Sequence, residues 1–261
     1  MAETIRNGPP RPYGHVCLAY DDPATFEAAA RDFLAEGVAA GERVWYLASE
    51  PPCGWDFRPD LIRPGDHYPA GGAIDPVRGV EAYAAATRQA LADGYSGLRV
   101  AAAATPLVRT PAQLDAFARY EHIVDRYMRT HPFAALCGFD RAELGAAAVE
   151  ELACLHPQSD APFRLYATPP AIADAGLAGD LDMATRDLFA RTLERAELRP
   201  AAGDLMIDGA GLAFIDHNSL LDLDAYARRR GVTAVLRTPL FSPAHLAELL
   251  ELTALRVEGG R

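Results

Sequence analysis

The chain contains no lysine: all 25 basic residues among its 261 are arginine. That absence excludes two chemistries. A P-loop reads GxxxxGK[ST], its lysine reaching the phosphates, and a Schiff-base enzyme needs an amine nucleophile. Cysteine is scarce too, and Cys17, Cys53, Cys137 and Cys154 lie far apart with no CxxC pair. Neither a disulfide framework nor a zinc knuckle is read from that spacing, and reduced thiols are expected. No apolar run approaches the roughly 20 residues that span a bilayer. The start MAETIRNGPPRPYG has no hydrophobic signal core. A cytoplasmic protein without a membrane partner is therefore expected. Cations are outnumbered 36 to 25, for a formal charge of −11, and the one dense basic run is Arg228-Arg229-Arg230. Phosphate neutralisation needs clustered cations, so no nucleic-acid partner is expected; the run suits the end of a helix. A GxSxG elbow and a metal-ligand helix are missing as well, so the reading is a non-enzyme.

Half of the residues are hydrophobic, enough for the cores of one large domain or two modest ones. HVCLAY (His15 to Tyr20) reads as a buried strand, and Asp22-Pro23 supplies a helix N-cap and a first-turn proline. Phe26, Ala29, Ala30, Phe33, Leu34 and Val38 then form one apolar stripe at helical spacing. RVWYLAS is a strand, a loop rich in Pro and Gly follows, VEAYAAATRQALADG is a helix and GLRVAAAAT a strand. TPAQ, Thr110 to Gln113, is a capping box opening a long helix. PFAALCGF is another strand and RAELGAAAVEELACLH a single helix. This alternation predicts an α/β fold with a largely parallel sheet covered on both faces.

HPQSDAPF, His156 to Phe163, is polar and carries prolines, and is taken as a boundary between units 13–157 and 163–261. In the second, smaller α/β unit FRLYAT and AGLAGDL read as paired strands, ATRDLFARTLERAEL as a helix and DLMID as a short strand. SLLDLDAYARRR is a helix, TAVLRT a strand, and Ser242-Pro243 caps a last helix.

Ligands of open parallel sheets sit beyond the carboxyl ends of the strands. Tyr20 and Asp140 stand at such ends. His15 and Cys17 share one face of their strand, as Cys137 and Phe139 do of theirs. Glu121 falls within the stripe Leu114, Phe117, Val124 and Met128, so it faces apolar surroundings and needs a partner, for which His15 is the candidate. A small-molecule pocket contacting His15, Cys17, Tyr20, Glu121, Cys137 and Asp140 is expected. The plainer reading makes Cys17 and Cys137 small core hydrophobes and Glu121 a buried acceptor. His15, Cys17 and Cys137 are metal-binding types without recognised spacing, so no metal and no cofactor is assigned.

Two resemblances add to this. HVCLAYDD, YEHIVDRYM and LCGFDRAEL, followed by LHP, are similar to a MEDS domain, a sensory module of methanogens and methylotrophs. The family's tyrosine is Phe139 here. The resemblance implies a RecA-like sheet without a working phosphate loop, in agreement with the missing lysine. LAGDLD, an amphipathic helix, LMIDGAGLAFIDHNSLLDL and a final strand and helix resemble a STAS domain of the anti-sigma factor antagonist type, over Phe163 to Arg261. That family's turn reads Asp-Ser/Thr-Ser/Thr-Gly-Leu, and a partner kinase phosphorylates the first hydroxyl. Here it reads Asp216, His217, Asn218, Ser219 and Leu220. The resemblance implies a partner-binding surface at Asp216 to Ser219 whose usual phosphate acceptor is replaced by His217.

Together the two units read as a cytoplasmic signal protein in which a ligand sensor controls an antagonist domain. Its partner is an anti-sigma factor or a serine-kinase-like regulator, and the reading allows a homodimer. Two alternatives stand beside it. His15, Cys17 and Glu121 could transform a small molecule, with the second unit for docking, or the chain could be a scaffold that senses nothing.

Overall fold

The computed structural model describes residues 14–67 and 72–259. Tyr13, the expected first residue of the first unit, and the end at Arg261 fall outside the described residues. Five strands form the first sheet: β1 (His15–Tyr20), β2 (Arg43–Leu47), β3 (Asp60–Ile62), β4 (Leu98–Ala103) and β5 (Phe133–Asp140). Their order is β1-β5-β4-β2-β3 and every pair is parallel. The helices are α1 (Pro23–Ala39), α2 (Pro64–His67), α3 (Pro76–Ala92), α4 (Pro111–Met128), α5 (Arg141–Leu144) and α6 (Ala146–Ala153). The second sheet joins β6 (Phe163–Tyr166), β7 (Ala175–Leu181), β8 (Leu205–Ile215), β9 (Ala234–Arg237) and β10 (Leu255–Glu258) in the order β10-β9-β8-β7-β6. Its β6–β7 pair is antiparallel and the rest are parallel. α7 (Arg186–Ala196), α8 (His217–Arg230) and α9 (Ser242–Leu249) accompany it.

Local signals set the helix starts. Asp22 accepts from Ala24 N at the head of α1, with Pro23 in the first turn. Thr110 and Gln113 close a reciprocal capping box on α4. Four expectations differ from the structure. The segment after β5 is two helices, because Gly145 takes φ +81° between α5 and α6 and interrupts the ladder. β8 runs eleven residues where a short strand is expected, with register shifts against β7 that accommodate its length. β3 and β10 are edge strands of three and four residues, too short to show a period. Ser242 lies inside the first turn of α9, whose cap position is Phe241 with no side-chain bond.

The two faces of the first sheet are packed differently. α1 covers one, burying Phe26, Ala30 and Leu34 against Val44, Tyr46, Ala101 and Leu136. Gly138 makes this possible: a Cβ there would lie 2.3 Å from Phe26 Cδ2. On the other face Leu114, Phe117, Val124 and Met128 of α4 join Val100, Ala135, Cys137 and Phe139. Burying a side chain the size of Phe or Leu contributes about 1.5–3 kcal/mol, so these stripes place α4 firmly.

The second core is continuous with this one, through Phe163, Leu165 and Phe189. The stretch from His156 to Phe163 lies between the two sheets in the chain and is bound rather than free. β1 is an edge strand, and Cys17 N donates to the Gln158 carbonyl at 2.9 Å, which satisfies part of that edge. Leu165 N donates to the Cys154 carbonyl. α4 packs on α7, where Arg195 donates to Asp115 at 2.9 Å and to Glu151 at 2.7 Å. Among the described residues no helix is long and apolar enough to cross a membrane.

Candidate functional site

His15 opens β1, and its odd-numbered neighbours face α4 and α6, while Val16, Leu18 and Tyr20 face α1. β5 lies alongside with Cys17 opposite Cys137. Glu121 and Asp125 stand one turn apart on the inner face of α4, and His156 follows α6 as the chain turns back over β1. These elements converge on one interior point. Single ligand atoms of His15, Glu121, Cys137 and His156 all lie within 4.8 Å of one another, and none of the four residues is more than 6 % exposed.

The contacts have a direction. His15 Nε2 is 2.8 Å from Glu121 Oε2 and 3.8 Å from Cys137 Sγ, and its Nδ1 is 3.3 Å from Asp125 Oδ1. Asp125 is held in turn by Arg129 and by Ala167 N at 2.7 Å. His156 Nδ1 is 2.9 Å from the Leu152 carbonyl, and its Nε2 faces Glu121 Oε2 at 3.4 Å. The two imidazoles lie 4.1 Å apart and tilted. His15 and Glu121 are ion-paired through Nε2 and Oε2, while Glu121 Oε1 and His156 Nε2 are buried without a hydrogen bond.

Electrostatics separates the two histidines. Burial opposes charge on His15, but Glu121 and Asp125 outweigh it and raise its pKa to about 9. Burial, reinforced by the charge on His15, lowers His156 to about 4. Burial also opposes the Asp125 anion, yet His15 and Arg129 hold its pKa below the usual carboxylate value. Burial first, and then Glu121, pushes the Cys17 and Cys137 thiols well up. At neutral pH the interior therefore holds a cationic His15 beside the Asp125 carboxylate, a neutral His156 and neutral thiols.

Of the six ligand candidates the structure gathers His15, Glu121 and Cys137, with Cys17 beside Cys137 but outside the group of four. Tyr20 is elsewhere. It stacks on Phe26 at 5.4 Å on the opposite face of the sheet, where burial raises its phenol pKa. Asp140 caps α5, accepting from Ala142 N at 2.8 Å. A cavity of about 200 Å³ does open beside the carboxyl end of β1, between Ala19, Arg141, Val149 and Asp160, and none of the six candidates lines it. His156 and Asp125 are the residues that sequence reasoning missed. Asp125 sits one turn after Glu121 and could have been found from the same stripe; His156 carried only the signal of a buried-looking Leu-His-Pro beside the boundary.

The corner between β8 and α8 is of another kind. Asp216 caps α8, accepting from Ser219 N at 2.8 Å, and its own N–H is tied to the Leu181 carbonyl. His217 is exposed, Asn218 half-buried and Ser219 fully buried with its hydroxyl unpartnered. Around it Met183 is 75 % exposed, Phe214 50 % and Leu221 37 %.

A family model described as MEDS, MEthanogen/methylotroph, DcmR Sensory domain, matches residues 14–157, which is more than half of the chain. No curated protein and no solved structure matches. The chain belongs to the MEDS family.

Proposed function

We propose that this MEDS-family chain is a signal-transduction protein in which the interior cluster around His15 and Glu121 is the sensing centre and the β8–α8 corner is the output surface. The sensory assignment follows the family. The output assignment rests on the resemblance of Leu177 to Asp182 and Asp216 to Leu220 to a STAS domain of the anti-sigma factor antagonist type. One observation carries it: Met183, Phe214 and Leu221 are large apolar side chains left in water around a capped helix start. Exposed apolar patches of this kind mark partner surfaces. The partner is then an anti-sigma factor or a serine-kinase-like regulator.

His217 replaces the usual hydroxyl, and Ser219 turns its hydroxyl into the core. The corner thus lacks an accessible hydroxyl for a serine kinase between Asp216 and Leu220, and control passes to the sensor. Asp125 supplies a path, since the amide it holds, Ala167, directly follows β6 of the second sheet. The proposal is tested by isothermal titration of the full chain against anti-sigma factors and serine-kinase-like regulators of its own organism. Binding by at least one, weakened by Phe214→Asp, is expected; binding by none, or binding indifferent to Phe214, overturns it.

A further inference from the structure

We infer that His15, Glu121, Cys137 and His156 form a closed four-ligand site for a zinc-class divalent metal ion. The ligand atoms are His15 Nε2, a Glu121 carboxylate oxygen, Cys137 Sγ and His156 Nε2. The inference deepens the sensing role proposed above, and only its regulatory consequence rests on that role.

The argument begins with distances. A tetrahedral ion bound at about 2.0–2.3 Å sets its donor atoms about 3.3–3.8 Å apart. Here Sγ of Cys137 is 3.8 Å from His15 Nε2, Oε2 of Glu121 is 3.4 Å from His156 Nε2 and 2.8 Å from His15 Nε2, and the whole set lies within 4.8 Å. The closest pair must open by about half an ångström, and pairs near the 4.8 Å limit must close by about one, for the ion to be seated. The donors also come from four elements, β1, α4, β5 and the turn after α6, so the core itself holds them in place.

The orientation of both imidazoles is a second, independent observation. The Leu152 carbonyl can only accept, so His156 carries a proton on Nδ1, which leaves Nε2 as the nitrogen available to an ion. That nitrogen faces a carboxylate oxygen. Nε2 of His156 and Oε1 of Glu121 lie in a fully buried place without hydrogen-bond partners, while Oε2 of Glu121 is paired with His15 Nε2 at 2.8 Å. A structural ion pair would satisfy those remaining atoms; a cation between them does. His15 is arranged likewise, its Nδ1 toward Asp125 and its Nε2 toward the common point. Carboxylate or carbonyl support behind each metal-ligating histidine is what such sites require, and Asp125 is itself backed by Arg129 and Ala167 N.

Charge and softness select the ion. With Cys137 as thiolate, the three anions Cys137, Glu121 and Asp125 balance Arg129 and one divalent cation. Two imidazoles, a thiolate and a carboxylate suit zinc, cobalt and their neighbours rather than magnesium or calcium, which take oxygen. All four positions are filled by protein, so the ion is held as a structural or sensing centre rather than a catalytic one.

The full chain, stripped with a chelator and titrated with Co²⁺, is expected to bind one ion, with a thiolate-to-cobalt absorption band and the visible bands of a tetrahedral centre, displaced by Zn²⁺. Cys137→Ser is expected to remove the charge-transfer band, and Asp125→Asn to weaken Co²⁺ binding 10- to 100-fold. A chain that binds no Co²⁺, or a band that survives Cys137→Ser, overturns the site. X-ray absorption of the Zn²⁺-loaded wild type reads the shell without any variant: one sulfur and three nitrogen or oxygen donors support the site, and any other sulfur count overturns it. Hydrogen exchange with and without Zn²⁺ reads the regulatory consequence separately. Altered exchange at β6 and the β8–α8 corner supports it. Metal binding with unchanged exchange there overturns the sensing role and leaves the site standing.

Discussion

The interior cluster and the β8–α8 corner treat polar groups in opposite ways. In the interior, Glu121 Oε1 and His156 Nε2 are fully buried and left without hydrogen bonds. At the corner, Asp216 finds its partner in Ser219 N, and the unusual feature is apolar surface in water. A fold tolerates an unsatisfied buried carboxylate only where something compensates it, and it tolerates exposed Phe214 and Met183 where something covers them. The first region is therefore read by its unmet chemistry and the second by its uncovered area.

Substitutions can break this contrast, and the largest effect belongs to the interior. His15→Ala leaves the buried Glu121 without its cation and Asp125 with Arg129 alone, and a loss of about 3–5 kcal/mol is expected from denaturant unfolding. Replacing both members, His15→Leu with Glu121→Leu, is expected to recover most of it while abolishing Co²⁺ binding. A double variant no more stable than the single one would show that the cluster shapes the core by more than its charges. Next comes Gly138→Ala. Its methyl group must displace the Phe26 ring, 2.3 Å from the ideal Cβ, so about 1–3 kcal/mol is expected to be lost in the same measurement.

The corner yields smaller numbers. Asp216→Ala removes the α8 cap and is expected to cost about 1 kcal/mol, seen as a lower Tm; an unchanged Tm would mean that the Ser219 amide finds another acceptor. His217→Glu, at an exposed position, is expected to change stability by less than about 0.5 kcal/mol while weakening binding of the proposed partner, because it places an anion in the proposed docking face as phosphorylation does in STAS domains of the anti-sigma factor antagonist type. Equal affinity for partner in wild type and His217→Glu would remove His217 from the interface. Incubation of the wild type with the cognate kinase and ATP is expected to add no phosphate between Asp216 and Leu220. Phosphate at Ser219 would show that the buried hydroxyl becomes exposed.

Helix periodicity made half of the interior site legible. Glu121 interrupts the stripe of Leu114, Phe117, Val124 and Met128, and a charged residue on a core face demands a partner wherever the chain can supply one. The same reasoning reaches Asp125 at the next turn. Tyr20 and Asp140 misled because they stand at the carboxyl ends of strands, where ligands commonly bind, while here one belongs to the α1 face and the other caps α5. Gly145 shows the same limit at the level of elements: a glycine within an apolar helical pattern does not announce its positive φ.

By itself the sequence determined what depends on neighbours a few residues apart: the strands β1 and β5, the caps at Asp22 and Thr110, the stripe on α4, the Asp216 turn and the exclusion of a phosphate loop by the absence of lysine. Tertiary structure alone decided the rest. His15 and Cys137 are 122 residues apart in the chain and meet because β1 and β5 are adjacent in a parallel sheet. His156 joins them because the boundary stretch binds the free edge of β1 and carries it inward. Such convergence leaves no local period, since it follows from closing a sheet and burying a face, which many distant contacts settle together.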